Sequence, residues 1–171
     1  DPAFSNTHVP IASSFLLSTK KGKESWIEPV VDRANKSIAY KVHKGGTAVE
    51  LDNASAGTKS GRGANFVYLL SNAATTPHYI KVQASAGKLG QTLLAVVADG
   101  PSGRIYVAPS VEQEAKAKSA KSAWKPSLVI SEDRRAFTPP DYGMPTIGDL
   151  FTPRQLVALD TFGQLVAEVR A

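Results

Sequence analysis

The sequence predicts an α+β fold: a strand-rich antiparallel body over 1–109, a basic helix over 110–124, a connector over 125–151, and a C-terminal amphipathic helix over 152–171. Three observations carry that expectation. Short apolar runs broken by Gly, Asn, Ser and Pro fill the first hundred residues, as in antiparallel sheets joined by tight turns. At Ser110 the texture changes to Ala, Glu, Gln and Lys, which are good helix formers. From Leu156 onward, apolar residues recur at helical spacing.

The chain has 171 residues, 42% apolar and 20% charged. A domain of that size buries roughly two-thirds of the surface its unfolded chain exposes. The longest uncharged apolar runs, such as 93–98, are too short to cross a bilayer. With no cysteine, disulfides, thiol nucleophiles and thiolate-bound metals are excluded. Lys and Arg number 20 against 15 Asp and Glu, a net charge of +5. That excess favours contact with a polyanion, or simply makes a soluble basic surface. Asp1-Pro2-Ala3-Phe4 lacks the basic and apolar regions of a signal peptide, and a cytoplasmic location is expected. The absence of an initial Met suggests a piece of a longer protein.

Within the body, 14–18 is an apolar run leading to a hairpin tip at Lys20-Lys21-Gly22-Lys23. Trp26, Ile27, Val30 and Val31 suggest a strand over 25–31, which Pro29 places at a sheet edge. Ile38, Tyr40 and Val42 alternate with Ser37, Ala39 and Lys41, the period of a half-buried strand. Together, 14–42 reads as an antiparallel meander. The stretch 45–63, rich in Gly, Ser, Thr and Asn, reads as a mobile loop. Residues 65–70 form a strand with Phe66, Tyr68 and Leu70 on one face, and 79–82 suggests another, with His78 at its end. The continuous run 93–98 has the look of a central strand covered on both faces. It pairs with 104–107 across the turn signal Asp99-Gly100-Pro101-Ser102-Gly103.

Ser110 and Gln113 match a capping box opening the basic helix. Lys116, Lys118, Lys121 and Lys125 make its C-terminal half basic, which suits the helix dipole. They form either a solvated face or a phosphate-facing patch. The connector carries Pro126, Pro139, Pro140, Gly143 and Pro145, with 128–130 as a short anchoring strand. Its Arg134-Arg135 is flanked by Glu132-Asp133, so local ion pairing competes with a DNA role. Thr152 caps the last helix, and Pro153 suits its first turn. Leu156, Leu159, Phe162, Leu165, Val166 and Val169 form one apolar stripe. Gly163 suggests close packing or a slight kink there. Arg154 opposes the helix dipole and calls for an anion or a tertiary carboxylate.

No residue pattern supplies catalysis. His8, His43 and His78 stand apart and outside any metal-ligand spacing, so a zinc site would have to be assembled in space with carboxylates. No Gly-x-Ser-x-Gly elbow occurs. Gly61-Arg62-Gly63 lacks the remainder of a phosphate-binding loop and reads as a flexible turn. Thr138-Pro139-Pro140-Asp141-Tyr142 holds the letters of the Asp-Pro-Pro-Tyr signature of amino-methyltransferases in the wrong order. Moving the aspartate past the prolines breaks the geometry that holds a target amino group beside an aromatic ring. Asp141 and Tyr142 receive no catalytic role.

Several phrases carry a family resemblance. The strongest is Tyr142-Gly143-Met144-Pro145-Thr146-Ile147-Gly148-Asp149-Leu150-Phe151-Thr152-Pro153-Arg154-Gln155-Leu156. Tyr79-Ile80-Lys81 followed by Ala86-Gly87-Lys88-Leu89-Gly90, Gly103-Arg104-Ile105-Tyr106-Val107-Ala108-Pro109, and Leu17-Ser18-Thr19-Lys20-Lys21-Gly22-Lys23 fit the same register. These resemble a family of bacterial DNA adenine methylases with a zinc-ribbon-like insert. Relatives carry a Cys near Phe4 and a Cys-x-x-Cys knuckle around 66–71. Here both are replaced, which implies a metal-free ribbon with Phe4 and Phe66 filling the space. The glycine-rich cofactor motif and the Asp-Pro-Pro-Tyr motif of the family are missing.

The resemblance implies a noncatalytic insert of an S-adenosylmethionine-dependent DNA adenine methyltransferase. The cofactor and the chemistry would belong to the parent enzyme, and adenine flipping would occur there. DNA and the remainder of the parent are the expected partners, and an orphaned C-terminal stripe would favour self-association. Lys116, Lys118, Lys121, Lys125, Arg134 and Arg135 are the phosphate-contact candidates, with Arg62, Arg104 and Arg154 secondary. The alternative is a structural or protein-interaction module that braces the methyltransferase or docks a partner, without nucleic-acid contact.

Overall fold

The computed structural model describes residues 2–4, 6–131, 133, 135 and 137–170. The chain divides into two compact units: Asp1–Tyr79 with Gln91–Pro109, and Ile80–Gly90 with Ser110–Ala171. The α+β class is as the sequence predicts, with three small antiparallel sheets and a long C-terminal helix.

In the first unit, strands β1 (Leu16–Ser18), β2 (Ser25–Asp32) and β3 (Ser37–Lys44) form the expected meander, in that order. β2 is therefore the middle strand, and the edge placement inferred from Pro29 is corrected. Proline is tolerated because β1 pairs with β2 only at Trp26 and Ser25. The last backbone bond on that side is from Ile27 N to the Phe15 carbonyl at 2.9 Å. Beyond it β2 has a ladder partner only in β3 among the described residues, so Pro29 sits where its missing N–H costs no ladder bond.

The glycine-rich stretch expected to be a mobile loop instead contains helix α1 (Ala48–Ala56). Its start is a reciprocal cap: Thr47 N donates to Glu50 Oε2 at 2.7 Å, and Glu50 N donates to Thr47 Oγ1 at 3.3 Å. Two orphan donors are thereby satisfied, which offsets the poor helix formers that follow. The helix ends at Gly57, with φ +58°. There the chain passes so close to its own N-terminal segment that a Cβ would lie 2.3 Å from the Ala12 carbonyl oxygen.

The strand expected over 65–70 shrinks to β4 (Phe66–Val67), paired with β5 (Ala74–Thr75). A tight turn takes over, with Asn72 N donating to the Tyr68 carbonyl at 2.7 Å. The alternation still holds, since Phe66, Tyr68 and Leu70 are all buried, Leu70 to 2% exposure. The expected strand at 79–82 is corrected to helix α2 (Pro77–Ser85), which crosses the boundary between the units. Pro77 suits the first helical position, and the Thr76 hydroxyl accepts from Tyr79 N at 3.3 Å. His78 thus lies in a helix rather than at a strand end. The last hairpin, β6 (Val96–Gly100) with β7 (Gly103–Val107), turns where expected. It is a two-stranded ribbon with Val97 exposed, so the doubly covered strand over 93–98 is also corrected.

The core of this unit is Phe15, Ile27 and Ala54, packed with Leu16, Trp26 and Tyr40. Burial pushes the Tyr40 phenol above its ordinary pKa.

In the second unit, helix α3 (Val111–Ser119) opens on the predicted capping box of Ser110 and Gln113. It stops at Ser119, short of 124, leaving Lys121 and Lys125 beyond it. Serines break it by bonding locally. Ser119 Oγ donates to the Lys116 carbonyl at 2.9 Å, and Ser122 Oγ to the Trp124 carbonyl at 2.6 Å. The strand expected over 128–130 is one bridge, Val129 to Thr146, with Ile130 buried beside it in sequence. Single 3-10 turns follow at Pro139–Tyr142 and Ile147–Leu150. Helix α4 (Pro153–Arg170) starts as predicted, with Thr152 and Gln155 capping each other. Among the described residues, no helix is long and apolar enough to cross a membrane.

Gly57→Ala is expected to cost about 2–4 kcal/mol, combining overpacking with backbone strain. Gly45→Ala, also at positive φ but with nothing within 4 Å of the new Cβ, should cost about 1 kcal/mol. Urea unfolding of the two variants reads the difference; equal costs would contradict the close crossing at Gly57.

Candidate nucleic-acid interface

The described members of the six residues proposed for phosphate contact do not form one free cationic face. Lys118 Nζ pairs with Glu114 at 2.7 Å, one helical turn back. Lys125 Nζ lies 2.5 Å from Asp149 Oδ1. Arg135 Nε is 3.5 Å from Asp133, which agrees with the expected local pairing. Arg134 lies outside the described residues. Lys116 and Lys121 are exposed and make no ion pair among the described residues, but Lys121 is off the helix.

The Lys125 pairing has a structural purpose. Asp149 is the third residue of a capping box, accepting from Thr146 N at 2.8 Å and Thr146 Oγ1 at 2.6 Å. The Lys125 side chain, followed by the Thr146 hydroxyl and backbone, lowers the Asp149 pKa from 3.8 to about 2. Lys125 therefore secures the turn that leads into α4, where phosphate contact would forfeit that pairing.

Asp141 is likewise occupied. Its carboxylate accepts from Lys81 Nζ at 2.6 Å, and the same ammonium sits 5.4 Å from the Tyr142 ring centroid. Close by, a Cβ on Gly143 would meet the Ala84 carbonyl at 2.7 Å. These contacts fasten the end of α2 to the Pro139–Tyr142 turn. Arg154, for which the sequence suggested an anion or a tertiary carboxylate, forms no ion pair with a carboxylate among the described residues. Of the two readings of Gly163, close packing is not found, because nothing lies within 4 Å of its missing Cβ.

The α4 stripe is buried only at Leu156; Phe162 is 68% and Val169 89% exposed. Among the described residues, no group of three or more His, Asp or Glu side chains is gathered for a metal. His43 instead hydrogen-bonds Glu28 at 2.7 Å and stacks on Trp26, with ring centroids 4.6 Å apart.

Two features escaped the sequence. Phe4 meets Tyr68 edge to face, centroids 5.9 Å apart, and the Tyr68 hydroxyl is hydrogen-bonded to Thr7 Oγ1. The N-terminal turn and the 66–71 segment are thereby joined, with Tyr68 rather than Phe66 as the ring partner of Phe4. Secondly, the Lys20–Lys23 tip meets the β6–β7 turn, where Lys23 Nζ donates to the Ser102 carbonyl. The lysines of this tip were visible only as turn residues, because their partner lies 79 positions away.

No family model, curated protein or solved structure matches the chain.

Asp149→Asn should destabilise the protein by about 1 kcal/mol at neutral pH, the usual worth of a cap. A folded pKa depressed below 3.8 gives stability that is complete above that value and lost as pH falls through the folded pKa. The difference between wild type and variant should therefore shrink between about pH 5 and pH 2 in urea titrations. A constant difference would contradict the assigned pairing.

Proposed function

We propose that the chain is a noncatalytic insert of an S-adenosylmethionine-dependent DNA adenine methyltransferase, and that it helps to hold DNA. The observation that carries this reading is the Phe4–Tyr68 contact. It joins the two segments at which the family resemblance would put the cysteines of a zinc ribbon, so that an aromatic pair with a part-buried hydrogen bond would stand in for the metal. T-shaped ring pairs contribute about 0.5–1.5 kcal/mol beyond their burial, so the contact links the two segments far more weakly than a structural zinc, worth about 10–16 kcal/mol, would. The net charge of +5 is consistent with a surface that faces phosphate. S-adenosylmethionine and the methyl transfer itself belong to the parent enzyme, because this chain carries neither the family's glycine-rich motif nor its Asp-Pro-Pro-Tyr motif.

A second reading rests on α4. Its open stripe at Leu159, Phe162, Leu165, Val166 and Val169 suits a module that braces the catalytic part of the parent. In isolation the same stripe would pair with a second copy.

Binding of the chain to unrelated duplex and single-stranded DNA across a salt series tests the first reading. Steeply salt-dependent binding to duplex, weakening by tenfold or more between about 50 and 200 mM salt, is expected if several phosphates are contacted. No binding at low salt would overturn the DNA-holding role and leave the bracing module. Sedimentation of the same samples reads the self-pairing.

A further inference from the structure

We infer that the DNA-contacting surface is the pair of abutting hairpin turns in the first unit, with Lys20, Lys21, Lys44 and Arg104 as its phosphate contacts and Lys23 as the brace between the turns. The inference rests on the DNA-holding reading and names the surface that would carry it. Both turns are in the same unit, and the bond from Lys23 Nζ to the Ser102 carbonyl sets them side by side. Arg104 follows that turn directly, at the second residue of β7. Lys44 is the Cα partner of Ser25 and so belongs to the same end of the sheet as the Lys20–Lys23 tip, and β3 also lies in contact with β7.

The four contact side chains are exposed, and none is in an ion pair among the described residues. That distinguishes them from Lys118, Lys125 and Arg135, whose charges are already countered. The nearby carboxylates are fewer. Glu24 caps its own turn by accepting from Gly22 N at 3.1 Å, and Asp99 stands across the ladder from Arg104. An excess of uncompensated charge on two narrow turns suits a partner with regularly repeated anions. Duplex DNA presents one such charge per about 1.7 Å of axis, and its major groove admits a two-stranded ribbon. Contacts from these side chains to phosphate oxygens position the duplex and carry no sequence information, so the holding inferred here is independent of sequence.

The test compares two variants of the whole chain on one unrelated duplex across salt. The first combines Lys20→Ala, Lys21→Ala, Lys44→Ala and Arg104→Ala, leaving Lys23 to brace the turns. The second combines Lys116→Ala and Lys121→Ala. Each phosphate contact contributes about 0.9 to the log–log salt slope, so the first variant should flatten it by about 3–4. The second should leave most of the slope in place. Unchanged melting and circular dichroism would show that the first variant is folded, as expected for exposed turn residues. Wild-type binding with an undiminished slope in the first variant would overturn the hairpin surface while leaving the DNA-holding reading intact. Absence of binding by the wild type would overturn both. Loss of binding to polyglutamate with DNA binding retained would instead assign the surface to an acidic protein partner, and would also overturn the inference.

Discussion

The first unit depends on one buried hydroxyl. Thr58 is 3% exposed, and its Oγ1 accepts from Ala12 N at 3.1 Å and donates to the Pro10 carbonyl at 2.9 Å. Its backbone N donates to the Ala12 carbonyl at 2.8 Å. The N-terminal segment is thus strapped against the end of α1, and only a glycine at 57 permits the approach. Phe15 then donates its N–H to the Ala54 carbonyl at 2.7 Å and accepts from Ile27 N at 2.9 Å. One extended segment links helix to sheet, and the Phe15–Ile27–Ala54 core closes over it. A buried polar group left unpaired costs about 1–3 kcal/mol, so the strap specifies a single register. With that register set, β1 leads to the Lys20–Lys23 tip at the end of the sheet where β7 begins.

The second unit is tied differently. Its buried residues, Ile80, Ala84, Ile130 and Leu156, are few, and charged side chains secure the connections between them. Lys81 with Asp141 and Lys125 with Asp149 each bind two segments distant in sequence. Such exposed pairs contribute little individually. Here each also belongs to a turn or cap, and fixes the direction in which the chain enters the next element. Lysines that looked available for phosphate in the sequence are therefore partly spent on architecture. The apolar stripe of α4 beyond Leu156 remains exposed.

What was legible in the sequence was what is encoded locally. The meander of β1–β3 followed from alternation at Ile38, Tyr40 and Val42. The starts of α3 and α4 followed from capping residues, whose partners sit three positions away. The cap of α1 had the same form, Thr47 with Glu50, but Gly45, Gly46, Gly57, Gly61 and Gly63 masked it. Tyr79-Ile80-Lys81-Val82 alternates like a strand, and Pro77 with Thr76 decides for a helix. At 93–98 the apolar run was legible, but not that only its last residues find a partner strand. The candidate site was least legible, because countercharges such as Asp149 for Lys125 and the meeting of the two hairpin turns are long-range. Sequence neighbours grouped Lys116–Lys125 as one patch; folding divides that group and assembles another.

The measurement that most directly tests this account is a titration of short duplex DNA into the isotopically labelled chain, followed by amide chemical shifts. The account predicts that shifts concentrate at residues 19–24, 44–46 and 101–104, and diminish as salt is raised. Shifts concentrated along 111–125 instead, or confined to the exposed stripe of α4, would contradict it.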